Sequence, residues 1–196
     1  MTAERFDERY FGRFYFSRRT RVAAPLEYLA RARLLAAYAD LHGIRLRRAL
    51  DAGAGPGYFA RALDAVRPGI RVTGIDVSDY ACQRYGWTRA SVTDYACRRP
   101  FDLVVCCDVA QYLARTAAAE ALQNLVRLCS GILYFTVLTR EDWTARCDQS
   151  RTDGNVHLRP ARWYRDRLRP HFHHVGTGVY LARSLEPALF ALDDMG

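Results

Sequence analysis

Leu50-Asp51-Ala52-Gly53-Ala54-Gly55-Pro56-Gly57-Tyr58-Phe59 decides how the chain is read. Arg48–Ala52 has the character of a short buried strand, and Gly57–Val66 that of a helix stopped by Arg67-Pro68-Gly69. The glycines between them let the backbone turn sharply and approach a ligand with no Cβ in the way. A strand, a glycine-rich turn and a helix form the opening unit of an open α/β sheet, with the ligand expected at the turn.

Two details narrow the ligand. A dinucleotide turn needs a third glycine after G-x-G-x-x, and Tyr58 occupies that place. No Gly-Lys-Ser/Thr follows, so a phosphate-cradling P-loop is excluded. Asp51 stands directly before the turn. Its carboxylate would repel a pyrophosphate and favour a ligand bearing an ammonium and a sulfonium.

On both sides of this unit the strand–helix alternation continues. Ile70–Asp76 reads as a second strand and Ser78–Tyr85 as a helix opened by a serine cap. Arg89–Val92 reads as a short third strand. Phe101–Val109 is a continuous apolar run suited to a strand buried on both faces. Thr116–Leu128 carries a helical stripe, and Gly131–Leu138 is a fifth strand. A helix near Ala161–Leu168 follows, then a hairpin across His171–Ala182 turning at Gly176-Thr177-Gly178, and a tail from Ser184 suited to a short helix. Before the core, Pro25 opens a helix over Leu26–Leu41, with Leu26, Leu29, Ala30, Arg33, Leu34 and Ala37 at helical spacing, closed by His42-Gly43. The pattern predicts one α/β domain with a doubly wound, mostly parallel sheet and helices on both faces. Residues 1–46 form an N-terminal cap, 47–138 the ligand-binding core, and 139–196 a polar loop and the last strands.

Three further segments carry acidic groups to strand ends. Gly74-Ile75-Asp76-Val77 lies about 20 residues past Gly57, where a carboxylate can accept from two ribose hydroxyls. Ser91-Val92-Thr93-Asp94 ends the third strand. Phe101-Asp102-Leu103-Val104-Val105-Cys106-Cys107-Asp108-Val109 runs into a loop at the carboxyl edge, where open α/β sheets bind ligands. Asp102, at the other end of that run, reads as a packing residue.

The ordered set D-A-G-A-G-P-G, G-I-D, V-T-D and F-D-L-V-V-C-C-D-V-A-Q-Y-L resembles the class I S-adenosylmethionine-dependent methyltransferase family over roughly residues 47–138. The resemblance implies a seven-stranded Rossmann-like sheet and S-adenosylmethionine as cofactor, leaving S-adenosylhomocysteine. Asp51, Gly53, Gly55 and Gly57 would face the methionine moiety, and Asp76, with Val77, the ribose. Thr93, Asp94 and Tyr95 would hold the adenine, while Cys107 and Asp108 line the cofactor's other side. Many small-molecule members carry a histidine where this chain has Tyr112, so no catalytic role transfers there.

The acceptor half of the site is read from the flanking segments. Tyr10, Phe11 and Tyr15 belong to an aromatic, arginine-rich N-terminus that serves either as a lid over the cofactor or as an amphipathic helix packed on the sheet. With Tyr112 they are the substrate-side candidates. His157, in the polar loop at 139–159, is the candidate general base for an oxygen or carbon acceptor, set against its reading as a surface histidine. No spacing of His, Asp, Glu and Cys suggests a metal, so metal-free chemistry is expected.

Bulk properties bound the partners. The 196 residues carry a net charge of +8, from 29 Lys and Arg against 21 Asp and Glu. That admits an acidic or carrier-bound small-molecule substrate, yet scattered arginines also suit an arginine-favouring codon composition. An RNA or protein methyltransferase is the first alternative. It lacks support from an N/D-P-P-Y/F motif, since Cys107-Asp108-Val109-Ala110 stands in that place, and nucleic acid is not expected. A non-methylating cofactor-binding protein of the same fold is the second. The N-terminus lacks the apolar middle of a secretory signal, no run is long enough to span a membrane, and the cysteine spacing fits reduced thiols. A cytoplasmic setting is expected; oligomeric state is not legible.

Overall fold

The computed structural model describes residues 3–187 and 189. Its centre is a seven-stranded sheet: β1 (Arg48–Ala52), β2 (Arg71–Asp76), β3 (Thr88–Arg89), β4 (Phe101–Cys107), β5 (Cys129–Thr136), β6 (Phe172–His174) and β7 (Val179–Ala182). The spatial order is β3-β2-β1-β4-β5-β7-β6. Strands β1 to β5 pair in parallel, and β7 enters antiparallel to both β5 and β6. The sheet reverses its winding between β1 and β4, so their carboxyl ends open a crevice there.

The period of two along each strand divides the core between two faces. Leu50, Val104, Cys106, Leu133 and Phe135 pack with α5 (Arg115–Leu128) and α7 (Ala161–Leu168) on one side. Ala49, Leu103, Val105, Ile132 and Tyr134 pack with α2 (Pro25–Leu41) and α3 (Tyr58–Val66) on the other. Helix α4 (Asp79–Tyr85) is capped by Ser78, whose side chain accepts from Ala81 N–H. Asp102, at the amino edge, accepts from the backbone N–H groups of Arg47 and Arg48, both at 2.8 Å, and so holds the entry to β1.

Helix α2 turns a different face inward from the expected one. Ala32, Leu35, Ala36 and Ala39 are buried, whereas Leu26 is 76% exposed. Ala30, Arg33 and Ala37 also face solvent. The helix is alanine-rich and apolar around much of its circumference, so no single stripe was distinctive, and contact with α3 and the sheet decided its rotation.

The third strand is shorter than expected: Thr88–Arg89 pairs with Ile75 and Asp76, and the chain turns away after Ala90. Within the polar loop at 139–159, Thr139-Arg140-Glu141-Asp142 builds a short helix, α6 (Arg140–Ala145), through a reciprocal cap between Thr139 and Asp142. The tail forms one 3-10 turn at Arg183–Leu185. The rest of the expected C-terminal helix, at 188 and 190–196, lies outside the described residues. No helix among the described residues is long and apolar enough to cross a membrane.

Candidate active site

The glycine turn after β1 is tied to β2 before any ligand arrives. The N–H groups of Gly53 and Ala54 both donate to the Ile75 carbonyl, at 2.8 and 3.0 Å. Gly53 has φ +84, and an added Cβ would meet Val109 Cγ2 at 2.3 Å. Gly55 has φ +47 and lies under the Phe11 ring. Both are positions where an ordinary residue is strained and where the backbone approaches a neighbour closely.

Asp76 closes the turn. Its Oδ2 accepts from Gly55 N–H and its Oδ1 from Ser78 N–H, both at 2.8 Å. Burial raises its pKa, opposed by these backbone donors. Each oxygen retains a further lone pair, and the carboxylate lines a cavity of about 310 Å³. Gly53, Gly55, Val77, Cys107, Asp108 and Val109 line the same space. The cavity thus has a backbone cradle with a carboxylate at its end.

Asp51 lies deeper. It is 4% exposed, and its Oδ2 has no hydrogen-bond partner. Burial, and then the neighbouring charge of Asp76, pushes its pKa up to about 7. Neither Asp51 nor Gly57 lines the cavity; Gly57 instead packs against Trp87, whose Nε1 donates to Gly55 O at 2.8 Å.

The segment after β3 was expected to hold the adenine. Ala90, Ser91 and Val92 line the cavity, while Thr93, Asp94 and Tyr95 do not. The Ser91 hydroxyl accepts from Thr93 N–H at 3.2 Å and bonds the Thr93 hydroxyl at 2.8 Å. Asn124 on α5 donates to the carbonyls of Val92 and Tyr95, both at 2.9 Å. These bonds fold the turn onto α5 and leave Asp94 exposed. The two bonds from Asn124 come from 29 or more residues away, so no local sequence signal marks them.

The N-terminal segment closes over the cavity. Asp7 caps α1 (Glu8–Phe11), which continues into one turn of π-helix, Gly12–Phe16. Phe6, Tyr10, Phe11 and Tyr15 line the cavity together with Tyr112. The Ser78 hydroxyl donates to Phe6 O, anchoring the segment beside Asp76. Burial raises the pKa of the Tyr10, Tyr15 and Tyr112 phenols, so all three stay neutral near pH 7.

A second cavity, of about 340 Å³, shares Tyr10, Tyr15, Cys107, Asp108 and Tyr112 with the first. Beyond that shared wall it reaches Tyr28 and Arg31 on α2, and Asp142 and Arg146 from α6 and its end. The Arg31 guanidinium lies over the Tyr28 ring and makes a long 3.7 Å contact to Glu27. Asp108 sits at the junction with φ +55, unusual for a non-glycine. Its side chain is open to the cavities yet surrounded by protein, which raises its pKa, while Arg31 and the Thr136 hydroxyl at 3.3 Å act against the rise. Burial also pushes the Cys107 thiol up, which keeps it protonated.

His157 stands apart. It is exposed, its backbone N–H donates to Gln111 O at 2.8 Å, and it lines neither cavity. Its loop is drawn instead towards the N-terminal segment: Arg5 pairs with Asp153 and donates to Asn155 O at 2.7 Å, and Arg151 donates to Arg21 O at 2.7 Å. Residues 5–21 and 151–155 therefore close together over the site. Arg31 and Arg146 were missed by sequence reading because the helix face or loop end that presents them is set by tertiary contact.

A methyltransferase-domain family matches residues 50–131. No curated protein matches the chain. Magnesium protoporphyrin IX methyltransferase from Synechocystis PCC 6803, solved with bound S-adenosylhomocysteine, superposes with a TM-score of 0.64 at 17% identity, covering 92% of this chain and 95% of that one. The N-methyltransferase NodS from Bradyrhizobium japonicum WM9, also with S-adenosylhomocysteine, gives 0.55 at 21% identity, covering 79% and 87%. An S-adenosylmethionine-dependent methyltransferase from Clostridium acetobutylicum ATCC 824 gives 0.51 at 13% identity over 63% of this chain, which spans 55% of its length. With the glycine turn, the acidic β2 end and the sheet order all in place, residues 50–131 match a methyltransferase domain and the chain has the fold of these solved methyltransferases.

Proposed function

We propose that the protein transfers a methyl group from S-adenosylmethionine to a small-molecule acceptor held in the second cavity. The observation that carries this reading is the wall shared by the two cavities: Tyr10, Tyr15, Cys107, Asp108 and Tyr112 face both. A donor in one space and an acceptor in the other would meet across it.

The cofactor supplies, when bound, a methyl on a sulfonium already activated for displacement. The chain's own residues then position, exclude water and handle a proton. Asp76 accepts from the ribose, Gly53 and Gly55 leave room for the methionine chain, and Ala90, Ser91 and Val92 border the base. Tyr10, Phe11 and Tyr15 keep water out. Asp108 replaces His157 as the group best placed to accept a proton from an oxygen or nitrogen acceptor, since it alone of the two borders both cavities. Arg31 and Arg146 favour an acceptor with an acidic group at its far end. The reading requires no metal and places the reaction in the cytoplasm.

The test is transfer of tritiated methyl from S-adenosylmethionine into separated metabolite, RNA and protein fractions of a cell extract. Label in the metabolite fraction supports the proposal. Label confined to RNA or protein, or none in any fraction, overturns it.

A further inference from the structure

A third cavity, of about 270 Å³, is lined largely by arginine and shares no lining residue with the other two. Arg115 comes from the first position of α5, Arg140 from the first position of α6, Arg159 from the loop before α7, and Arg162 and Arg167 from α7 itself. Asp166 is the one carboxylate in the lining. No ion pair among the described residues involves any of these arginines.

Arg159 is only 6% exposed. Its guanidinium donates to the carbonyls of Ala110, His157 and Leu113 and to the Tyr164 hydroxyl, all neutral acceptors. A buried cation is ordinarily paired with a carboxylate, and this one is not. Trp163 supplies a second anomaly. It is 7% exposed, its Nε1 has no hydrogen-bond partner, and it lines the cavity with Arg167 at 3.9 Å and Arg159 at 5.1 Å from its ring. Helix α5 begins here with no side-chain cap and no acidic residue in its first turn, which adds partial positive charge. The start of α7 is satisfied differently, Glu141 accepting from Ala161 N–H at 3.0 Å.

We infer that this cavity binds the phosphoryl end of a small phosphorylated ligand, a site separate from the two cavities of methyl transfer. Guanidinium forks match phosphoryl oxygens, and the excess of arginine over the single Asp166 calls for more than one negative charge. The volume falls below the roughly 300 Å³ at which ligand pockets usually begin, which suits a phosphate or pyrophosphate group rather than a whole nucleotide. Arg159 links the site to function. It lines this cavity and also holds the carbonyl of Leu113, which lines the cofactor cavity.

The experiment is a calorimetric titration of the purified protein with pyrophosphate at constant ionic strength, with chloride and a short oligoribonucleotide as separate arms. The Arg140→Ala, Arg162→Ala double variant is run alongside; both side chains are exposed and make no bond among the described residues. Saturable pyrophosphate binding, weakened about tenfold or more in the double variant with S-adenosylhomocysteine affinity unchanged, is the expected result. The single Arg162→Gln variant serves if the double variant does not fold. Absent binding, or binding equal in variant and parent, overturns the inference. Binding of the oligoribonucleotide without pyrophosphate overturns it too, in favour of a nucleic-acid surface.

Discussion

The Tyr10 and Tyr112 hydroxyls lie 2.8 Å apart, joining the N-terminal segment to the loop that leaves β4. Both rings border both cavities of the site, so this bond sits where donor and acceptor would meet. Losing either hydroxyl strands the other in a half-buried place. Tyr10→Phe and Tyr112→Phe should each lower stability by about 1 kcal/mol, and the double variant should lose little more than either single one. Denaturant unfolding in a double-mutant cycle measures it. Additive losses would mean that the two hydroxyls do not act as a pair.

Asp76 is expected to serve both the turn and the cofactor. Asp76→Ala should weaken S-adenosylhomocysteine binding by about 1–3 kcal/mol, the cost of leaving polar partners unmatched. It should also lower stability, because Gly55 N–H and Ser78 N–H lose their acceptor. Calorimetry on a folded variant with parental affinity would remove Asp76 from the ribose.

Gly55→Val should abolish cofactor binding more completely than Asp76→Ala. A β-branched residue at φ +47 is strained by roughly 1–2 kcal/mol, and its side chain would meet the Phe11 ring and the cavity that Gly55 lines. Gly53→Ala should cost more stability than Gly55→Ala, since its Cβ would lie 2.3 Å from Val109 Cγ2. Thermal unfolding and S-adenosylhomocysteine titration separate the two effects.

Asp51 predicts a pH dependence. Its pKa in the fold, about 7, exceeds the ordinary 3.8, so between those values the folded protein holds a proton that the unfolded chain releases. The stabilising contribution is therefore full below about pH 4 and lost as pH rises through 7. A shift of this size is worth up to about 4 kcal/mol. Asp51→Asn should remove that slope, and the stability difference between variant and parent should change sharply from pH 5 to pH 8. A constant difference over that range would contradict the assignment.

At the junction of the cavities, Asp108→Asn is compatible with the left-handed backbone, which asparagine tolerates. Once an acceptor is known, it should lower turnover by about 10²–10⁴-fold if Asp108 takes the proton, with cofactor affinity little changed. His157→Ala, by contrast, should leave turnover near that of the parent. A reversed outcome would return the role of base to the loop.

The features legible along the chain are local. The strand–glycine–helix unit at 48–66, the acidic end of β2 and the long apolar β4 all follow from periodicity and turn chemistry within about ten residues. They suffice for the sheet and its ligand edge, because a parallel sheet must bury such strands and leave their carboxyl ends open. Tertiary structure alone decided the rest. Asn124 ties the turn at 92–95 to α5 from 29 or more residues downstream. Packing against α3 and the sheet rotates α2 so that Arg31 enters the second cavity, and the meeting of α5, α6 and α7 gathers arginines that look scattered along the chain. Each depends on a contact between distant segments, whose free energy is realised only once the core has brought those segments together.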